Sequence, residues 1–539
     1  MAEYTSSYTG VQIDAAIQKA NDAVSYSANQ GLTATQKTNA RNNIGAGTSN
    51  LGAPSGAPGT LGTAAFRGVA SAISSGGTDL VASGVAQSYL GDIEKRETRV
   101  VAKYNVTDTS NPTKILYDNL SRISFSALEI DGVAQQGTTE TYTFSTTGEH
   151  TAKFTLADPT TLGDGTNSFA FSDTPVISVY IPNSVTSIGN CAFELCYDLT
   201  SIIIPNSVIS PIGESTFSQC SNLAFVKIGD NVTSIDENAF YECPSLTSVT
   251  IPNSVTSIGG HAFQGCSSLT SLTIPNSVTS IGIYAFYNCS GLTSVNIPNG
   301  VTSISGYTFE GCSGLTSVTI PNSVTSIKNR AFFYCENLMS LVIGSGLSST
   351  GKFSFSGCGG LVTIVVDSGN STFDSRNNCN ALIKTATNSI VRGCENTIIP
   401  STVTSIGERA FNDCHGLTSI VIPNGVTSID NGAFSVCDRL VSINIPDSVT
   451  SIGSTAFQWC DRASSVSIGS GITSIGTSAF ENCSGLTSFT ISATTPPTLG
   501  SNALTNTNNC PIYVPSASVN TYKSATNWSS HASRIQAIP

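Results

Sequence analysis

From about residue 160 onward, apolar residues fall at fixed places in a unit of 23 residues. The unit reads approximately V-T-S-I-G-x-x-A-F-x-x-C-x-x-L-T-S-V-x-I-P-N-S, as in FYNCSGLTSVNIPNGVTSIS between Phe286 and Ser305. Around its strand-like centre, Leu292, Val295 and Ile297 are placed to point inward. Ser294 and Asn296, between them, face the open side, the period-2 pattern of a strand with one buried face. The Pro that follows (Pro252, Pro275, Pro298) has no N–H and a fixed φ, so it ends the strand. The segment V-T-S-I-G then returns along the other side.

The phrase F-x-x-C occurs twelve times, from Phe193/Cys196 to Phe480/Cys483. A period of 20 to 29 residues with L-x-x-V-x-I at its heart is that of a solenoid in which each unit adds one strand to a parallel ladder. Phe and Cys then form internal columns with a step of about 4.8 Å, and about thirteen units give an array of roughly 60 Å. The 16 cysteines follow this step: Cys220, Cys243, Cys266, Cys289, Cys312, Cys335 and Cys358 are each 23 apart, as are Cys414, Cys437, Cys460 and Cys483. A repeat accounts for them as small buried apolar residues in a reduced ladder. Bridges between adjacent rungs are the alternative under oxidation.

Departures from the unit mark particular places. VISPIG around Pro211 is one residue longer, and the 56-residue gap from Cys358 to Cys414 is two periods plus ten. NALIKTATNSIVRG (Asn380 to Gly393) places two apolar runs around a Thr-Asn-Ser turn, which predicts a hairpin within 368–399 that protrudes from or bends the ladder. TLGDGTNSFAFSDTPVISVYIP reads as a degraded first unit with Asp173 in the place of the Cys. ALTNTNNCPIYVP (Ala503 to Pro515) keeps a Cys and a strand without the Phe, and a short helix from about Ser516 to near Trp528 is expected to cap the stack over 516–539.

The A-F-x-x-C and I-P-x-S-V-T-S-I-G phrases resemble those of the BspA-like (Treponema pallidum type) leucine-rich repeat family, over about residues 160 to 515. The resemblance implies a curved, non-enzymatic binding scaffold, often a bacterial surface protein that adheres to host or matrix ligands.

Residues 1–98 have a different pattern. In YTGVQIDAAIQKANDAV, Thr9 and Gln12 are spaced as a capping box, and Ile13, Ile17, Ala20 and Val24 lie on one helical face. A stripe this short needs a partner, and parallel copies of itself are the simplest one; four small apolar positions fit dimers and trimers alike. LTATQKTNARNNIGAG repeats the logic with Thr33, Gln36 and Gly45, and GTSNLGAPSGAPGTLG has linker composition. YTGVQIDAAI, LTATQKTNARNNIGA, LGTAAFRGVA and GTDLVASGVAQSYL resemble phrases of tail-fibre and receptor-binding proteins of tailed bacteriophages. That resemblance implies a slender, commonly trimeric segment docked on the phage tail or baseplate. Residues 99–158 (KYNVT, ISFSALEIDGV, TYTFSTTGEHTAKFTL) alternate apolar and polar positions between Gly turns and read as a small β-sandwich spacer. The fold expected is thus mainly β with short helices: a helical, fibrous oligomerisation segment, a sandwich, and a leucine-rich-repeat solenoid over 159–515.

Composition narrows the function. Charged residues are 11% and the formal net charge is −12, which argues against a nucleic-acid partner, since phosphate binding rests on clustered Lys and Arg. No stretch approaches the roughly 18 apolar residues of a membrane span, so no membrane insertion is expected. The start has neither a basic n-region nor an apolar h-region, and standard secretion is not expected. GLSSTGKF (Gly346 to Phe353) nearly spells a phosphate-binding loop, but Phe353 stands where a hydroxyl should hold magnesium. His150, His261, His415 and His531 are not at metal-ligand spacing with Cys, Asp or Glu. Asp92, Glu94 and Glu97 belong to a charged run, GDIEKRETR, that reads as a solvated junction. No enzyme, metal or cofactor is expected, and a glycan-cleaving fibre would need a carboxylate pair facing one pocket.

What varies in the array is a set of positions flanking the Phe and Cys: Tyr241, His261, Tyr284, Tyr287, Tyr307, Arg330, Phe333, Tyr334, His415, Arg439, Trp459 and Arg462. Tyr, Trp and Arg anchor interfaces, and aromatic faces stack on sugars. The strand face (Ser248, Thr250, Ser271, Thr273, Ser294, Asn296, Ser317, Thr319) is the rival surface. The expected function is a trimeric phage receptor-binding fibre, part of the virion, that recognises a bacterial surface glycan or protein. The alternative is a bacterial cell-surface adhesin.

Overall fold

The computed structural model describes residues 99–116, 125–136, 139, 141–162 and 170–539. The stripe Ile13, Ile17, Ala20 and Val24, and the other readings made of residues 1–98, lie outside the described residues.

The repeats wind a β-solenoid of about 16 turns. Most turns contribute a short strand to a parallel front ladder, with like residues in register, as Ser248↔Ser271 and Val249↔Leu272. V-T-S-I supplies a second, two-residue rung on the opposite side, Ser257↔Ser280 and Ile258↔Ile281. Leu292 and Ile297 are buried, Val295 is half-buried against the core, and Ser294 and Asn296 are exposed.

The interior is columnar. Successive Phe rings stack nearly parallel, from Phe193–Phe217 (5.2 Å, 9°) to Phe332–Phe355 (5.5 Å, 7°). The Cys column is reduced, and each thiol has a job that apolar packing alone did not predict. Cys289 Sγ donates to Phe263 O at 3.1 Å and Cys312 Sγ to Phe286 O at 3.1 Å, so every rung satisfies a carbonyl of the one before. Hydroxyls stitch the surface in the same way: Thr293 Oγ1 donates to Thr270 O (3.0 Å) and Ser277 Oγ to Val255 O (2.6 Å). Coils with few charges are thereby joined by neutral hydrogen bonds, each worth about 1 kcal/mol net.

The described part of the N-terminal β region holds a main sheet continuous with the array and a separate two-stranded pair, Thr113–Lys114 with Thr141–Tyr142. β1 (Val100–Val106), β2 (Phe125–Ile130) and β3 (Gly148–Leu156) form one antiparallel sheet in the order β2-β3-β1, and β1 pairs antiparallel with the first array strand, β4 (Val176–Tyr180). All lie in one 13-stranded sheet that ends at β5 (Thr363–Val366). Phe154 of β3 meets Phe171 edge-on at 5.8 Å and closes the Phe column. Apolar alternation fixed which face these strands bury, but not that their partner would be the repeat core. In this first unit Thr174, not Asp173, holds the Cys place. Thr174 is buried and bonds Phe171 O (2.6 Å), whereas Asp173 sits at the left-handed corner (φ 53°).

The insertion is built into the back ladder rather than protruding from it. β6 (Phe373–Asp374), β7 (Leu382–Lys384) and β8 (Ser389–Arg392) pair antiparallel in turn, and β8 takes the V-T-S-I rung, with Ser389↔Ser405 and Ile390↔Ile406. Gly393 replaces the Phe: its N–H donates to Ala410 O (2.8 Å), and any Cβ there would run into the Phe411 ring. The buried Arg392 side chain lies at the break, bonding Cys358 O and Asn412 O. The front ladder stops at β5 and resumes only at β9 (Ser442–Ile445), while on the back a single eight-stranded sheet runs from β6 to Thr498–Leu499.

At the far end, α1 (Val519–Ser524) and flanking single turns bury Tyr522 and Trp528, which bond Ala493 O and Pro497 O at 2.8 Å each. The chain then returns as β11 (Ile535–Ala537) beside β10 (Ile512–Val514), a closing strand that repeat logic missed.

Candidate ligand-binding surface

The F-x-x-C corner holds two residues per coil in the left-handed region. The first slot contains His261 (φ 55°), Tyr284 (58°), Tyr307 (61°) and Arg330 (54°), and the second Tyr334 (56°) and Trp459 (62°). For non-glycine residues this conformation costs about 1–2 kcal/mol each. Ladder bonds hold it in place, such as His261 N to Ile283 O (2.9 Å) and Tyr284 N to Gly306 O (3.2 Å).

One block of the sequence-selected residues converges. His261 stacks on Tyr284 (4.8 Å, 14°), Tyr284 on Tyr307 (4.5 Å, 18°), and Arg330 lies over Tyr307 (5.9 Å). These separations match the strand spacing of about 4.8 Å, so the coil step itself sets the stack. Tyr287 meets Tyr284 edge-on (5.5 Å, 73°), and His261 Nδ1 is 2.6 Å from Gln264 Oε1. Because both faces of Tyr284 are covered by neighbours, the band offers edges and hydroxyls there, not the open aromatic face expected for sugar stacking.

Phe333 is a correction: it is buried and forms a platform 4.5 Å beneath the Arg330 guanidinium. Tyr334 packs against it (4.1 Å) and remains exposed. Tyr241 is half-buried two coils before Tyr287 in the same slot. His415, Arg439, Trp459 and Arg462 are exposed but lie beyond the insertion, away from this band; His415 faces Asp438 at 3.1 Å.

Two further members were not singled out from sequence. Phe353 continues the first slot and carries Arg409 over its ring at 4.7 Å. Glu310 occupies the slot of Tyr241 and Tyr287 and is buried, with Oε1 3.7 Å from Arg330 Nη1 and Oε2 without a hydrogen-bond partner. Burial raises its pKa, and Arg330 partly opposes that. The slot was legible as a variable position; its depth was not. Burial, with contributions from Tyr307 and Glu310, also raises the pKa of Tyr284. Among the described residues no group of three or more His, Cys, Asp or Glu could hold a metal ion, and no helix is long and apolar enough to cross a membrane.

Residues 164–290, 256–384 and 390–511 match the BspA type leucine rich repeat region. The chain belongs to this leucine-rich repeat family. Solved structures similar to this BspA-type protein include a leucine-rich repeat protein from Bacteroides ovatus, with 24% identity over 72% of this chain and 94% of that one and a TM-score of 0.49. A leucine rich cell surface protein from Faecalibacterium prausnitzii is 29% identical over 67% and 83% of the two chains, TM-score 0.43. The T. pallidum leucine-rich repeat protein is 28% identical over 36% and 81%, TM-score 0.28. No curated protein matches the chain.

Proposed function

We propose that this BspA-type protein is a non-enzymatic recognition protein whose array holds a glycan or protein ligand on a bacterial surface. The stacked band His261–Tyr284–Tyr307–Arg330 carries this reading. The repeat core does not require aromatic or cationic residues in that slot, since Ser215, Asn238, Thr455 and Ser478 take the same left-handed corner in other coils. A row of hydroxyls, an imidazole and a guanidinium at a regular step suits repeated weak contacts, which multivalent display multiplies.

Display is the finer part of the proposal. The fibre-like phrases of residues 1–98 favour a homotrimeric phage tail fibre docked on tail or baseplate proteins, and hence a virion location. Membership of the BspA-type family favours the second reading, a bacterial cell-surface adhesin. Light scattering of the full chain beside one beginning at Arg99 separates them: a trimer that becomes a monomer on truncation supports the fibre, and two monomers support the adhesin. Recognition itself is tested by co-sedimentation with intact bacterial cells. Tyr284→Ser combined with Tyr307→Ser should lower retention about tenfold, and unchanged retention rejects the band as the binding surface. Release of reducing ends from surface polysaccharide would reject the non-enzymatic reading.

A further inference from the structure

The corner that carries the aromatic band changes charge along its length. Just before the band its residues are acidic, Asp236, Glu237 and Glu242. Where the band ends they are basic: Lys328 and Arg330 in one coil, Lys352 in the next, and Arg409 on the corner after that. The fold does not call for these cations. Lys328 N donates to Ile304 O (2.9 Å) as Gly282 N does to Ile258 O (2.9 Å) two coils earlier, so glycine serves in the same place. Lys352 O accepts from Arg330 N (3.0 Å) as Gly306 O accepts from Tyr284 N (3.2 Å).

The donors of this cluster are also open. Lys328 and Lys352 are exposed, and among the described residues no carboxylate lies within ion-pair distance of either ammonium. Glu408, next in the chain to Arg409, is exposed and pairs with neither Arg409 nor Lys352. Arg376, Arg392 and Arg534 give their guanidiniums to acceptors of the protein itself. Those of Arg330 and Arg409 make no hydrogen bond among the described residues and lie over the rings of Phe333 (4.5 Å) and Phe353 (4.7 Å). Glu310 comes within 3.7 Å of Arg330, beyond hydrogen-bond reach. A guanidinium backed by a ring keeps its planar fork of N–H groups outward, the geometry that takes a carboxylate or phosphate through two parallel bonds.

The main chain narrows the ligand further. Tyr284 N, Tyr307 N and Arg330 N already donate to the next coil, so the corner has no open backbone edge for a peptide strand. What it presents is side-chain donors at the coil step, hydroxyls first and then cations. A ligand rich in hydroxyls and bearing anionic groups at intervals matches that order.

We propose that this corner binds an acidic polysaccharide, its anionic groups taken by Lys328, Arg330, Lys352 and Arg409 and its hydroxyls by Tyr284 and Tyr307. This names the ligand class of the band put forward above as the recognition surface, and it rests on that reading.

The probes are oligogalacturonate and a phosphomannan fragment, with a dextran oligosaccharide as the neutral control, each titrated into the full chain by calorimetry. At least one acidic probe should bind and dextran should not, and affinity should fall as salt is raised. The tighter of the two acids tells carboxylate from phosphate. Lys328→Gln with Lys352→Gln, both at exposed positions, should weaken binding about tenfold. Lys227→Gln, exposed on a front strand, should leave it unchanged. Glu310→Gln removes the acid that shares Arg330 and should tighten binding. No binding at millimolar probe, equal binding of dextran, or unaltered affinity in the double lysine variant overturns the proposal. Equal affinity for poly-glutamate also overturns it, and makes the corner a site for acidic peptide. Retention on cells that survives the lysine pair but falls with the Tyr284 and Tyr307 pair overturns the acidic ligand and leaves the band standing.

Discussion

Arg392 Nη2 donates to Cys358 O at 2.8 Å, across the point where the Phe column is interrupted. Its Nη1 reaches Asn412 O at 3.0 Å, so one guanidinium satisfies carbonyls from the coils on both sides of the inserted one. Arg392→Ala removes both bonds, leaves Asn412 O unpaired and opens a cavity, with an expected loss of about 2–4 kcal/mol. Urea unfolding followed by hydrogen exchange should place the loosened amides around Phe355 and Phe411. Arg392→Leu should recover part of the loss by volume alone.

The thiol column predicts alkaline lability. Burial pushes Cys243 from the ordinary 9.0 to about 12, and Cys196 likewise. A raised folded value means stability is complete below the unfolded thiol pKa and declines as pH rises toward the folded one, because the unfolded chain ionises first. Melting temperature should therefore be flat below about pH 8 and fall steeply between about pH 9 and 12. At pH 8 a thiol reagent should label none of the buried column cysteines until the chain is denatured, whereas the half-exposed Cys191 lies outside that column.

Glu310 makes a prediction of its own. Its folded pKa is raised by burial, so it favours the fold below the ordinary carboxylate range and opposes it as pH rises through the folded value. Glu310→Gln should match the parent near pH 4 and become relatively more stable by about pH 7. Paired melting curves across that range check it, and parallel curves would show that Arg330 fully compensates the charge.

The end cap should be separable from the array. Trp528→Ala removes a fully buried ring and its bond to Pro497 O, at an expected cost of about 3–5 kcal/mol. Loss of exchange protection should begin in β10 and β11 and spread only into the last coils, since each repeat touches its neighbours alone.

Much of this protein could be read from its sequence, for a physical reason. Equivalent residues 23 apart become neighbours at one strand spacing, so period and alternation already state which side chains are inside and which coil lies next to which. That determined the Phe and Cys columns, the Ser/Thr front face, the unit boundaries and the slot shared by Tyr284 and Tyr307. The tertiary structure decided what periodicity cannot carry. Phe333 lies inside and Tyr334 outside because the corner turns between them. Thr174 rather than Asp173 fills the Cys place because depth, not charge, defines that site. Across the insertion no period relates Arg392 to Cys358, 34 residues apart, and only the fold brings that guanidinium to the Cys358 carbonyl.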